Sequence, residues 1–261
     1  LIVIYDSNGI SLDGPTSLSF SEDIPARFGA YGWRVLHIDD GNDLAQIDAA
    51  LAAAQTSDGR PTIIVCKTHI GFGSPNKQDS QASHGAALGP EETIATKRAY
   101  GWPEDAQFLV PDEVAAWAQH MTERGTGLAS AWQDTFDAYR AAHPDLAAQF
   151  ERTTAGALPD DWGADIPTFG PDDSPATRAA GAKVINAIGA RVPELVQGTA
   201  DLSSSTDTTL KDQGVVSAGD FAGRNLYYGV REHAMGAITN ALALHGGLRP
   251  VASTFLMFFD Y

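Results

Sequence analysis

The chain has 261 residues, 43% hydrophobic and 19% charged, the balance of a globular protein with one large domain or two ordinary ones. Its 33 acidic residues against 17 basic ones leave a formal net charge of −16, which argues against partnership with nucleic acid or an anionic membrane surface. No apolar run approaches a bilayer span, and a single cysteine, Cys66, excludes an internal disulfide and points to a reducing, cytoplasmic setting with a packed thiol.

Leu1 to Tyr5 is a continuous apolar run suited to a strand buried on both faces of a parallel sheet, and it breaks at the turn composition Asp6-Ser7-Asn8-Gly9. The run is too short for a signal peptide and has no basic residues ahead of it. Because the chain opens inside one apolar run and stops just after another, both ends are expected to lie within a longer protein. Asp23 caps a helix reaching Gly29, and Arg34 to Ile38 reads as a second strand. Asp43 caps a helix whose Leu44, Ile47, Leu51 and Ala54 share one face, and Thr62 to Lys67 is a third strand. Strand and helix in alternation make a parallel α/β layer.

A Gly-, Ser- and Asn-rich loop follows from Gly71 to Gly89, and so long an irregular stretch in a compact domain is functional or disordered. Helices are expected over 90–100, 112–124 and 128–152. Residues 153–175 hold four prolines and five aspartates and read as an interdomain linker. A second α/β module then starts with a helix over 176–189, a strand over 195–199, a helix over 231–245 and a strand from Pro250. The division is therefore 1–152, 153–175 and 176–261, with both modules incomplete.

Several residues are ambiguous on their own. Asn8 in a Gly-containing turn is either a turn residue holding its own backbone or a metal ligand. Glu232 is either a solvated carboxylate in the first turn of a helix, where the dipole favours it, or a proton-handling group. Phe255 and Phe258 read as core aromatics, His84 as a loop histidine, and Arg178 and Ser205 as surface residues.

Taken together, three segments resemble the transketolase family over essentially the whole chain. They are Asp6-Ser7-Asn8-Gly9-Ile10-Ser11-Leu12-Asp13-Gly14, then Lys67-Thr68-His69-Ile70-Gly71-Phe72-Gly73-Ser74 with Ser83-His84-Gly85, and Tyr228-Gly229-Val230-Arg231-Glu232. The ending Ser253-Thr254-Phe255-Leu256-Met257-Phe258 agrees. The resemblance implies a parallel-sheet fold that binds thiamine diphosphate, here the later part of a diphosphate-binding domain and the start of a pyrimidine-binding domain. It implies that the Asn8 side chain and the Ile10 carbonyl bind Mg2+, with Ca2+ or Mn2+ as other ions the site accepts, beside an aspartate of a Gly-Asp-Gly expected upstream of Leu1. Glu232 becomes the catalytic glutamate that hydrogen-bonds the cofactor's pyrimidine ring, in a pocket of Phe255, Phe258 and Tyr261. His84 becomes an active-site histidine near the diphosphate and the substrate hydroxyls. Ile70, Asp201 and Leu202 line the cofactor, and Arg178 and Ser205 take the substrate phosphate. The chain departs from the family at Gln81, where many members have a second histidine, and at Thr206, where asparagine is usual.

The activity implied is ketol transfer between sugar phosphates such as xylulose 5-phosphate and ribose 5-phosphate, in the pentose phosphate pathway. A homodimer is implied, in which Asn8, Ile10 and His84 of one chain meet Glu232 and Phe255 of the other. Deoxyxylulose-phosphate synthase fits the Asn-Gly-Ile-Ser-Leu-Asp-Gly string and the Gly-Phe-Gly-Ser loop less well. A dihydroxyacetone synthase stays open, as does a non-catalytic, split module acting as an assembly partner, although such a module has no reason to keep both Asn8 and Glu232.

Overall fold

The apolar run at the start of the chain forms strand β1 (Ile2–Ser7), followed by α1 (Ile24–Ala30), β2 (Arg34–Ile38), α2 (Leu44–Gln55), β3 (Thr62–Lys67) and α3 (Pro90–Ala99). A computed structural model describes residues 1–56 and 58–261. The three strands are parallel in the order β1-β3-β2, with Ile2 beside Thr62 and Arg34 on the other side of Thr62. The middle strand is the apolar centre: Ile63 and Ile64 are fully buried. Ala50 and Ala54 of α2 pack on Ile38, Ile64 and Cys66 with Ile47 and Leu51 against them, so the anticipated apolar face is covered except at Leu44, which is 78% exposed at the start of the helix. Both expected caps are formed. Asp23 Oδ1 accepts from Ala26 N at 2.9 Å, and Asp43 Oδ1 accepts from Ala45 N at 2.9 Å while Gln46 Nε2 donates back to Asp43 Oδ2 at 3.0 Å.

One expectation is corrected here. β1 is not buried on both faces. It is an edge strand of this sheet, exposed at alternate residues, with Ile4 57% exposed. A strand is buried on both faces only where layers cover both, and α2 covers β2 and β3 instead.

The chain divides into two compact units, Leu1–Ala115 and Ala116–Tyr261, with the boundary inside α4 (Asp112–Ala142). Two helices with a break at Gly125–Gly127 are expected over 112–152, but α4 runs through both glycines and the break falls at α5 (Pro144–Thr154). The physical reason is proline chemistry. An interior glycine costs a helix about 1 kcal/mol, whereas an interior proline loses a hydrogen bond and clashes with the preceding turn, so Pro144 starts a new helix instead.

In the second unit come α6 (Thr177–Arg191), β4 (Leu195–Thr199), α7 (Ser203–Thr206), β5 (Asn225–Tyr227), α8 (Glu232–His245) and β6 (Arg249–Ser253). The strands are parallel in the order β5-β4-β6, so β4 is central and wholly buried. The Pro- and Asp-rich stretch at 153–175 is pinned within this unit. Leu158 packs against Val192, Leu195 and Leu210, and Arg191 binds Asp161 and, at 2.7 Å, Asp165. Arg152 of α5 makes a two-pronged pair with Glu194 just before β4, at 2.6 and 2.9 Å, and the Glu194 side chain is only 3% exposed.

Gly198 in β4 is required by close packing. A Cβ there would overlap the Tyr228 ring and lie 2.9 Å from Leu226 Cβ and O. Gly198→Ala is expected to cost the protein about 1–3 kcal/mol, read as a lower urea midpoint, because an overpacked core must shift backbone or rotamers. An unchanged midpoint would show that Tyr228 moves freely. Among the described residues no helix is long and apolar enough to cross a membrane.

Candidate active site

In the first unit the chemistry gathers where β1 and β3 end. Asn8 follows β1 directly, and its Oδ1 accepts from Ile10 N at 2.9 Å, a turn that fixes both residues. Asn8 lines a cleft of about 430 Å³ with His37, Lys67, Thr68, His69 and Asp79. The Thr68 hydroxyl donates to Asp6, which joins the end of β3 to the end of β1. His69 Nδ1 lies 2.9 and 3.0 Å from the two Asp79 oxygens, and the hydrogen bond from His69 holds the Asp79 carboxyl below its usual pKa. Ile10 and Ile70 are half-buried beside this cleft in sequence but do not line it. His84 stands exposed after a short 3-10 turn over Gln81–Ser83, and it too is not on the cleft wall.

In the second unit a short turn and a helix start converge. Asp201 has φ +62°, a left-handed conformation that costs a non-glycine residue energy and is held here by Thr199 Oγ1, which accepts from Leu202 N at 3.1 Å. Glu232 is the first residue of α8. Asp201, Leu202, Val230 and Glu232 line a cleft of about 430 Å³ with Phe258 and Tyr261. A second cleft of about 540 Å³ shares Glu232, Phe258 and Tyr261 and adds Met235, Thr254 and Phe259. The Glu232 carboxylate has no hydrogen bond or ion pair among the described residues. An acceptor left free beside apolar and aromatic walls suits a flat heterocycle that offers it a polar edge.

The structure thus brings together Asp201, Leu202, Glu232, Phe258 and Tyr261. Phe255 is half-buried and lines neither cleft; Phe259 takes a place on the wall instead. Arg178 lies in the first turn of α6 and Ser205 in α7; both are exposed, and neither lines the Glu232 clefts. The His69–Asp79 pair and Met235 were not anticipated. A lone His and an Asp ten residues apart in a Gly-rich loop carry no periodic signal, and Met235 reads as ordinary helix core.

Asn8 Oδ1 and the Ile10 carbonyl are neutral hard oxygens, the donor type that magnesium prefers, and Oδ1 keeps a second lone pair beyond the one Ile10 N uses. No group of three or more His, Cys, Asp or Glu suited to a metal occurs among the described residues. The donors present fit a cation that takes its remaining ligands from elsewhere.

Comparison with known proteins agrees along the whole chain. The family model described as transketolase, thiamine diphosphate binding domain, matches residues 1–159, and that described as transketolase, pyrimidine binding domain, matches residues 173–261. A transketolase of Halalkalibacterium halodurans is 46% identical over the full chain, which spans only 39% of that relative's length. The solved transketolase from Leishmania mexicana superposes with a TM-score of 0.93 at 38% identity, covering all of this chain and 39% of that one. The transketolase from Pichia stipitis, solved in complex with sedoheptulose-7-phosphate, superposes with a TM-score of 0.91 at 36% identity, covering all of this chain and 40% of that one.

Proposed function

The chain belongs to the transketolase family, and from that footing we propose that it forms part of an enzyme transferring a two-carbon ketol unit from a ketose phosphate to an aldose phosphate. The observation that carries the reading is the free Glu232 carboxylate at the start of α8, on clefts shared with Asp201, Leu202, Phe258 and Tyr261. Thiamine diphosphate, when bound, supplies the electron sink that lets a carbon–carbon bond beside a carbonyl break and re-form. The residues of this chain bind, orient and handle protons. Glu232 holds a proton against the cofactor's pyrimidine edge, and Phe258 and Tyr261 exclude water around it. Asn8 and the Ile10 carbonyl hold a divalent cation, Mg2+ or in its place Ca2+ or Mn2+. Ile70 and Leu202 give apolar walls, and Asp201 adds a polar contact. His84 serves the substrate hydroxyls and their protons, and Arg178 and Ser205 bind its phosphate.

The diphosphate module ends near 152 and the pyrimidine module starts near 176 in this reading, which the family matches ending at 159 and starting at 173 support. The working enzyme is a cytoplasmic homodimer in the pentose phosphate pathway, with Asn8, Ile10 and His84 of one chain serving Glu232 and Phe255 of the other. Its substrates are sugar phosphates such as xylulose 5-phosphate and ribose 5-phosphate.

The full-length protein given these two sugars, thiamine diphosphate and Mg2+ is expected to form sedoheptulose 7-phosphate. Omitting the cofactor, or chelating the cation, should cut the rate to below roughly one-tenth, since the loaded site supplies the chemistry. If no product forms with every component present, the reading fails.

A further inference from the structure

The loop from Gly71 to Gly89 contains no strand and only a single 3-10 turn, yet its polar groups converge on one buried carboxylate. Glu92, in the first turn of α3, is 9% exposed. Its Oε1 accepts from the Ser74 hydroxyl and, at 2.9 Å, from Asn76 N; its Oε2 accepts from Asn76 Nδ2 at 2.9 Å. Ser74 itself is 2% exposed, so its bond is made away from water, while the two from exposed Asn76 are partly buried; the charged acceptor strengthens all three. The Ser74 hydroxyl in turn accepts from Lys77 N at 3.2 Å. The Lys77 carbonyl accepts from Ser80 Oγ at 2.9 Å and from Ser83 Oγ at 2.5 Å. Ser83 directly precedes His84. On the far side, Lys77 Nζ donates to the Leu88 carbonyl at 2.8 Å, so the His84 arm is gripped before and after the histidine. The same arm packs against the start of the loop: a Cβ at Gly71, whose φ is +62°, would lie 2.5 Å from Ser83 Oγ.

We propose that Glu92 is a positioning residue which, through Ser74, Asn76 and Lys77, holds Ser83 and His84 in the conformation that receives substrate. The proposal rests on the assignment of His84 to the substrate site. Without the carboxylate, the Ser74 hydroxyl and both Asn76 donors lose their acceptor, and the loop must be ordered anew at each binding event. A loop competent for only a fraction of the time weakens apparent affinity by that fraction, while the bound state keeps its rate.

The test uses the full-length protein carrying Glu92→Ala and, separately, Glu92→Gln. Glutamine keeps one oxygen for Ser74 and Asn76 N, and the Asn76 amide can turn to present its oxygen to the new Nε2. Glu92→Ala is expected to raise KM for the ketose phosphate about tenfold, with kcat within roughly twofold, as partial occupancy of the competent loop requires. It should also speed tryptic cleavage after Lys77 about tenfold, because opening of the loop exposes that bond. Glu92→Gln is expected to restore both quantities to within roughly threefold of the wild type, since it restores the acceptor. A Glu92→Ala protein with unchanged KM overturns the proposal, whatever its cleavage rate, and so does Glu92→Gln behaving like Glu92→Ala. Should Glu92→Ala fail to fold, Asn76→Ala removes one bond to the carboxylate and should move KM in the same direction; no change there overturns the proposal. If the wild type transfers no ketol unit, the functional reading fails, and tryptic cleavage then decides the tether by itself: faster cleavage in Glu92→Ala supports it and unchanged cleavage sinks it.

Discussion

Glu232→Ala in the full-length protein is expected to reduce turnover by about 10²–10⁴-fold, the range over which a positioned proton-transfer group contributes. The fold should hardly notice. Glu232 begins α8, where a negative charge favours the helix by only about 0.3–1 kcal/mol. The helix is docked further along, by Met235 against Ala200 and Tyr228, and this contact does not involve the carboxylate. Glu232→Gln separates shape from proton handling: it keeps the side chain's size and hydrogen-bonding reach but cannot gain or lose a proton at neutral pH. Both variants should lose comparable rate while keeping the wild-type thermal midpoint. Near-normal turnover in Glu232→Ala would remove the residue from the chemistry.

Arg152→Ala is expected to cost about 3–5 kcal/mol, the price of leaving a buried charge without its partner. Glu194 is 3% exposed on its side chain, and its remaining cation, Arg249 Nε, stands 3.9 Å away. The paired replacement of Arg152 by Met and Glu194 by Leu should recover most of that loss, since apolar side chains of similar volume often match or exceed a buried pair. The same contact sets a pH dependence. Burial raises the Glu194 pKa, and the Arg152 hydrogen bonds with the charges of Arg152 and Arg249 more than reverse it, leaving the group below its ordinary value. A carboxylate depressed in the folded state contributes stability that is complete above the unfolded value of about 4.3 and is lost as pH falls through the folded value. Denaturant midpoints followed from pH 6 down to pH 2 should therefore fall more steeply for the wild type than for the Met/Leu pair. Parallel curves would show that the ion pair adds nothing to acid sensitivity.

The sequence made the elements legible where the signal was local and unopposed. Asp23 and Asp43 announced their helices because a carboxylate before an apolar stripe has an immediate partner in the backbone N–H groups of the first turn. The strands Arg34–Ile38, Thr62–Lys67 and Leu195–Thr199 fall on their expected residues because each is a short, β-branched or apolar run. β5 escaped notice because Asn225-Leu226-Tyr227 is three residues long and forms only through its pairing with β4, which nothing nearby in sequence reports. The exposure of β1 was hidden because apolar composition states what a strand can bury and not which layer covers it. Among the site residues, Glu232, Asp201 and Leu202 converge through a strand end and a helix start that resemblance to the family could locate. Glu92 carried no such mark. A glutamate in the first turn of a helix is ordinary, and only the fold of the loop around it makes it an acceptor for three donors.

Cys66 has a practical consequence for following the loop in solution. It is the only thiol in these 261 residues, it is buried in the β3 core, and its pKa is pushed up first by burial and then by the charges of Asp6 and Asp40. A thiol that is both shielded and kept protonated reacts slowly with maleimides and methanethiosulfonates. A cysteine introduced at exposed Gln81, three residues before His84, would meet reagent far sooner than Cys66 within this segment. A nitroxide or fluorophore could then be attached beside the histidine without disturbing the core, and its mobility would report loop order by spectroscopy.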